Sequence, residues 1–104
     1  MSLSVVTTAE ADEQIGSIDT WWRTNRPAAP NLFAEELAQC FVVLEQAPNL
    51  GKPYRRLGSV PGLRRALLRA TRYHVYYVPR PNAVAVLAVW HSRRGQLPPL
   101  WGLL

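Results

Sequence analysis

Near the end of the chain, Trp90-His91-Ser92-Arg93-Arg94 follows an apolar run. An imidazole, a hydroxyl and two guanidiniums stand within four residues. Histidine moves protons near neutral pH, serine attacks carbonyls once a base activates it, and arginine neutralises developing negative charge. Serine hydrolase chemistry does not fit the spacing. Adjacent residues on an extended strand point to opposite faces, so His91 cannot activate Ser92. No carboxylate follows Glu45 to orient a base, and no G-x-S-x-G elbow is present. The second histidine, His74, stands in Arg72-Tyr73-His74-Val75-Tyr76-Tyr77. Two histidines without neighbouring acids and a single cysteine, Cys40, make no metal-ligand set, so no metal or cofactor is expected.

The charges are unevenly placed. All seven acids precede residue 46, where only Arg23 and Arg26 are basic, while the ten basic residues from Lys52 onward have no acid among them. Such a half presents a basic surface to an acidic protein or to nucleic acid. A chain of 104 residues, 48 % hydrophobic and 18 % charged, is expected to fold as one globular domain, 1–104. No apolar run is long enough to span a bilayer, and the acidic start does not resemble a secretory leader, so a cytoplasmic protein without membrane contact is expected.

The elements that must position these residues read as β-α-α-β-β-β. Leu3–Val6 has the β-branched pair of a short strand. Thr7-Thr8-Ala9-Glu10 has the form of a capping box, with Thr7 as N-cap and Glu10 three residues on. Ala11, Ile15, Ile18 and Trp22 then form one helical stripe, and Pro27 and Pro30 stop the helix near Arg26. Asn31 can cap a second helix, with Phe33, Leu37, Cys40 or Phe41, and Leu44 as its apolar face. The short link predicts an antiparallel helical hairpin over about 8–47. Alternation from Leu63 to Ala70 predicts a strand, with Thr71-Arg72 as a tight turn. Tyr73–Val78 and the wholly apolar Ala83–Trp90 complete the C-terminal strands, about 63–91, the last as a central strand buried on both faces. The fold class is α+β, with a helical hairpin packed on one side of a mainly antiparallel sheet.

Three stretches carry a family pattern: "APNLGKPYRRL" (47–57), "PGLRRALLRATRYHVYYV" (61–78) and "VAVLAVWHSRR" (84–94). Their P-x-L-G-x-P link, G-x-R strand start, Y-H-x-Y-Y strand and closing H-x-R-R occur in this order after a helical hairpin. The chain resembles the RelE/ParE toxin superfamily of bacterial type II toxin–antitoxin systems, its ParE branch in particular. The resemblance runs from about Leu3 to Pro99.

The resemblance implies a small toxin neutralised by a cognate antitoxin. RelE-like members cleave mRNA on the ribosome, and ParE-like members poison DNA gyrase. Aligned with the RelE pattern, Arg65 and Leu67 stand at two lysine positions, His74 at an arginine and Arg93 at the arginine after the last strand. A ribonuclease would therefore use Arg65, His74 and Arg93. Leucine can neither carry charge nor transfer a proton, and the tail after Arg94 holds no late tyrosine or histidine. The ParE-like function, gyrase inhibition by binding without catalysis, is therefore expected, with Arg65, Arg69, Arg93 and Arg94 as target contacts. A RelE-like ribosome-dependent endoribonuclease and a non-toxic antitoxin-binding module are the alternatives.

The implied partners are an acidic antitoxin that wraps the toxin with its C-terminal segment, and gyrase, or the ribosome in the alternative. Sequence-specific DNA binding by this chain alone is not expected, because neither helix is basic. Trp21 and Trp22 are adjacent on a helix, so one must leave the core. With Leu97, Leu100 and Trp101 of the apolar tail (95–104) they are the candidate antitoxin contacts.

Overall fold

The computed structural model describes residues 3–55 and 60–93. In chain order, β1 is Ser4–Thr7, α1 Ala9–Asn25, α2 Leu32–Gln46, β2 Lys52–Pro53, β3 Arg64–Leu67, β4 Tyr73–Pro79 and β5 Ala83–His91. The five strands form one sheet in the order β1-β5-β4-β3-β2. β1 runs parallel to β5, and the other pairings are antiparallel.

Helix α1 starts one residue later than a capping box at Thr7 would place it. Thr8 is the N-cap, its hydroxyl accepting from the Ala11 amide. Thr7 instead ends β1, and its hydroxyl donates to Asp12. The pairing of Thr7 with Val86 keeps Thr7 extended and moves the cap along the chain. Asn31 is the N-cap of α2 but makes no side-chain capping bond. Phe33, Leu37 and Leu44 of α2 and Ala11 of α1 are buried against Val75, Tyr77, Val84, Val86 and Val89 of the sheet. The opposite face carries a second apolar group of Leu63, Tyr76, Val78, Leu87 and Ala88.

A bulge in β5 sets which of its side chains faces which way. Tyr76 pairs with Ala88 and Tyr77 with Val86, so Leu87 has no partner on β4. The extra residue shifts the alternation. Val84, Val86 and Val89 face the helices, whereas Leu87, Ala88 and Trp90 join the opposite face. The backbone around the bulge is tied to the start of α1. The Thr8 amide donates to Val86 O, the Thr8 hydroxyl to Leu87 O, and the Val89 amide to the Gln14 side chain.

The third strand is shorter than the alternation from 63 to 70 predicts. β3 ends at Leu67, and the chain turns over Arg69–Thr71 rather than at Thr71-Arg72 alone. Leu68 drops into the helix-side core, and the Arg72 amide donates back to Leu68 O at 2.7 Å. Arg72 takes φ 70°, a left-handed conformation that costs a side-chain-bearing residue roughly 1–2 kcal/mol. Glu36 of α2 offsets this cost. Its carboxylate accepts from the Ala70 amide at 2.7 Å and from the Thr71 amide and hydroxyl at 3.0 and 2.6 Å. The short strand β2, Lys52–Pro53, was not foreseen because two residues carry no period.

Candidate functional site

Two surfaces carry the residues that the sequence singles out. The first is the sheet face turned away from the helices. The register sets Lys52 opposite Arg65, Arg65 opposite Tyr76, and Leu67 opposite His74. Cross-strand partners share a face, so Arg65, Leu67 and His74 lie together on this one. The Arg65 guanidinium lies 4.6 Å from the centroid of the Tyr54 ring, a cation–π contact. Tyr54 and His74 each meet Tyr76 edge to face, at 5.4 and 6.1 Å. Leu67 is 39 % exposed, so an apolar side chain is presented to solvent in the middle of a basic surface.

Burial, then the nearby charges of Arg65, Arg72 and His91, lower the His74 pKa from 6.5 to about 4. The imidazole is neutral at physiological pH and is a poor proton acceptor there. Because the folded pKa lies below the unfolded one, the resulting stability is complete above pH 6.5 and falls as pH drops towards 4. Urea unfolding at pH 7 and about pH 4.5 is expected to show a smaller acid loss for His74→Gln than for the parent chain. Equal losses would place the acid sensitivity elsewhere.

The second surface is a groove of about 670 Å³ between α1 and the end of β5. Ile18 and Trp21 line it from the helix, Tyr73, Val89 and His91 from the strands, and Arg93 from the chain beyond β5. The two tryptophans separate here. Trp22 turns inward and its indole N–H donates to the Tyr73 hydroxyl at 3.3 Å, while Trp21 stays 44 % exposed with the Arg26 guanidinium 4.9 Å from its ring centroid. His91 packs edge to face on Tyr73 at 4.9 Å, and its Nδ1 accepts from the Arg93 amide. Arg93 is thus a residue of this groove, whereas Arg65 and His74 belong to the open face. Arg94, Leu97, Leu100 and Trp101 lie outside the described residues.

The open face is one-sided in charge, whereas the groove carries Glu13 as well as Arg93. Among the described residues the one ion pair is Arg23–Asp19, on the surface of α1. Lys52, Arg65, Arg69, Arg72 and Arg93 have no carboxylate within ion-pair distance among those residues. Cys40 offers no thiolate, because burial and then the Glu36 charge push its pKa up to about 11. No group of three His, Cys, Asp or Glu is placed to hold a metal among the described residues, and no helix there is long and apolar enough to cross a membrane.

The family model for the ParE toxin of the type II toxin–antitoxin system parDE matches residues 5–95. The chain belongs to the ParE toxin family. Two solved structures share this ParE fold. The chromosomal ParDE toxin–antitoxin system from P. aeruginosa superposes with a TM-score of 0.68 at 18 % identity, over 86 % of this chain and 96 % of that one. The RelBE2 toxin–antitoxin complex from Mycobacterium tuberculosis gives 0.63 at 23 %, over 88 % and 99 %. No curated protein matches the chain. In this ParE toxin the motif pieces have structural partners. Gly51 of the P-x-L-G-x-P link and Tyr77 of the Y-Y pair meet, the Gly51 amide donating to the Tyr77 hydroxyl at 2.8 Å. One residue of the open face, Tyr54, and the left-handed turn residue Arg72 were not singled out from the sequence. Arg72 looked like turn filler, and Tyr54 lay in a loop without period. The one available signal was a bulky arginine at a turn position that favours glycine or asparagine.

Proposed function

We propose that this ParE-family toxin arrests growth by binding DNA gyrase, without bond-breaking chemistry of its own, and that a cognate acidic antitoxin neutralises it. The observation that carries this is Leu67, exposed beside Arg65 and His74 on the open face. A leucine stands where ribonucleolytic relatives are expected to place a lysine, and the neighbouring imidazole is held at a pKa of about 4. Cations without a matched base and acid can bind a phosphate-rich or acidic target but move protons poorly. The target contacts are Arg65, Arg69, Arg93 and Arg94. The antitoxin contacts are Trp21 in its groove and Leu97, Leu100 and Trp101 in the tail, with Trp22 supporting the groove from behind. An amphipathic segment suits this apolar groove, with its acidic side chains turned to Arg93 and to Arg26 beside Trp21 and away from Glu13.

Induced expression without antitoxin is expected to stop growth and cause DNA breaks, and the purified toxin to inhibit gyrase supercoiling. An unaffected supercoiling reaction at saturating toxin would refute the gyrase target. The adjacency of Arg65 and His74 favours one other activity, mRNA cleavage on the ribosome. Cuts at ribosomal A-sites in a translating extract would establish it, and their absence alongside intact toxicity would exclude it.

A further inference from the structure

The sheet ends differently on its two sides. At one edge β2 is Lys52–Pro53, a charge followed by a residue without an amide proton, and both discourage a further strand. At the other edge β1 reads Ser4-Val5-Val6-Thr7, with no charge and no proline, and β5 is its one neighbour. The Thr8 amide donates to Val86 O, so the backbone groups of Val6 and Ser4, two and four residues back, also face β5. Those of Val5 and Thr7 therefore point away from the sheet. The Leu3 amide points the same way and is taken by Glu45 O of α2 at 3.0 Å. The open edge thus runs from Val5 to Thr7. Its side chains divide by face. Val5, opposite Val84, packs in the helix-side core, while Val6, opposite Ala85, stands on the open face and is 50 % exposed.

We propose that β1 pairs antiparallel with β1 of a second copy of this chain, about a two-fold axis through Val6. An outward row of amides and carbonyls is matched by another extended strand. Cross-strand partners share a face, and an axis normal to the sheet at Val6 sets Val5 opposite Thr7 of the second copy, both on the helix side. These are the residues whose backbone groups point outward, so the pair exchanges both N–H···O bonds and the axis repeats the exchange. Val6 then meets Val6 of the second copy as the non-hydrogen-bonded pair, where side chains approach most closely, and its exposed apolar surface is covered. An acidic antitoxin segment suits this edge less, because Asp12, bonded to Thr7, and the last turn of α2 with Glu45 flank it. The same carboxylates repel between copies, and so short an edge buries little area. The dimer is accordingly a weak one, favoured by high concentration and by salt. In it the two open faces lie on the same side of one continuous sheet.

Sedimentation velocity of the full chain between about 10 μM and about 1 mM should show a monomer passing to a dimer, and the dimer should tighten as salt screens the flanking carboxylates. Val6→Lys sets like charges opposite each other at the axis and should leave a monomer at every concentration. Its melting temperature should stay within a few degrees of the parent, because the side chain is exposed. Val6→Cys should give a disulfide-linked dimer under mild oxidation, since directly opposed non-hydrogen-bonded residues hold their Cα atoms about 4.5 Å apart. Ser4→Cys, exposed on the same face but removed from the axis, should not cross-link, and neither should the parent chain with Cys40 alone. A parent that stays monomeric at about 1 mM, or a Val6→Lys variant that still dimerises, overturns the proposal. So does equal cross-linking of Ser4→Cys and Val6→Cys. A dimer that salt weakens also overturns it, because such a dimer joins the acidic half of one copy to the basic half of the other.

Discussion

Gly51→Ala is expected to lower the unfolding free energy by about 3 kcal/mol, through overpacking and loss of buried hydrogen bonds. A Cβ at this position would lie 2.6 Å from the Tyr77 hydroxyl oxygen, 2.8 Å from Cε1 of the same ring and 3.0 Å from Arg65 O. The ring cannot retreat, because Tyr77 is fully buried among Phe33, Leu44 and the strand valines. Its hydroxyl also joins two segments, accepting from the Gly51 amide and donating to Pro48 O, both at 2.8 Å. Displacing it takes this partner from the buried Gly51 amide and from the half-buried Pro48 carbonyl. For a domain of this size the cost corresponds to a fall of roughly 15 °C in melting temperature, measurable by calorimetry. Tyr77→Phe keeps the ring and loses both bonds, for about 2 kcal/mol. The double variant should cost less than the two single costs added, because Tyr77→Phe removes the atom closest to the new Cβ. A Gly51→Ala protein that melts within a few degrees of the parent would show that the ring can move aside.

Glu36 should have an effect of similar size and a wider reach. Its carboxylate satisfies two backbone amides and the buried Thr71 hydroxyl, and these charge-assisted bonds hold the turn that carries Arg69 and Arg72. Glu36→Ala is expected to cost about 3 kcal/mol in urea unfolding. Glu36→Gln is not conservative here. An amide has one acceptor oxygen, and its NH2 would face a donor, so about half the cost should remain. Hydrogen exchange at the Ala70 and Thr71 amides should accelerate in both variants, ahead of exchange in β4. Unchanged protection at those amides would mean that the turn is held by its own Leu68–Arg72 bond.

Most of the elements could be read from the chain because their signals are local. The Ala11-Ile15-Ile18-Trp22 stripe, the prolines after Arg26 and the β-branched Tyr73–Val78 run each identify one element without reference to another. Errors arose where a distant partner decided the outcome. Alternation continues through Leu68 and Arg69, yet β3 ends at Leu67, because Glu36 of α2 accepts from the Ala70 and Thr71 amides and holds that stretch as a turn. The cap belongs to Thr8 rather than Thr7, because β5 holds Thr7 in a strand.

Sequence by itself determined the composition of the site: a basic C-terminal half without acids, a leucine at position 67, one histidine on each of the last two strands, and the family to which they point. Tertiary structure decided their grouping. An apolar run such as Ala83–Trp90 shows no face preference, so nothing in it reveals that the Leu87 bulge turns Trp90 to one side and Val89 to the other. That bulge, with the register that sets Arg65 and His74 on adjacent strands, divides the candidate residues between an open face and a groove. The physical reason is that side-chain direction in a sheet follows the register of pairing, and register depends on contacts between segments far apart in the chain.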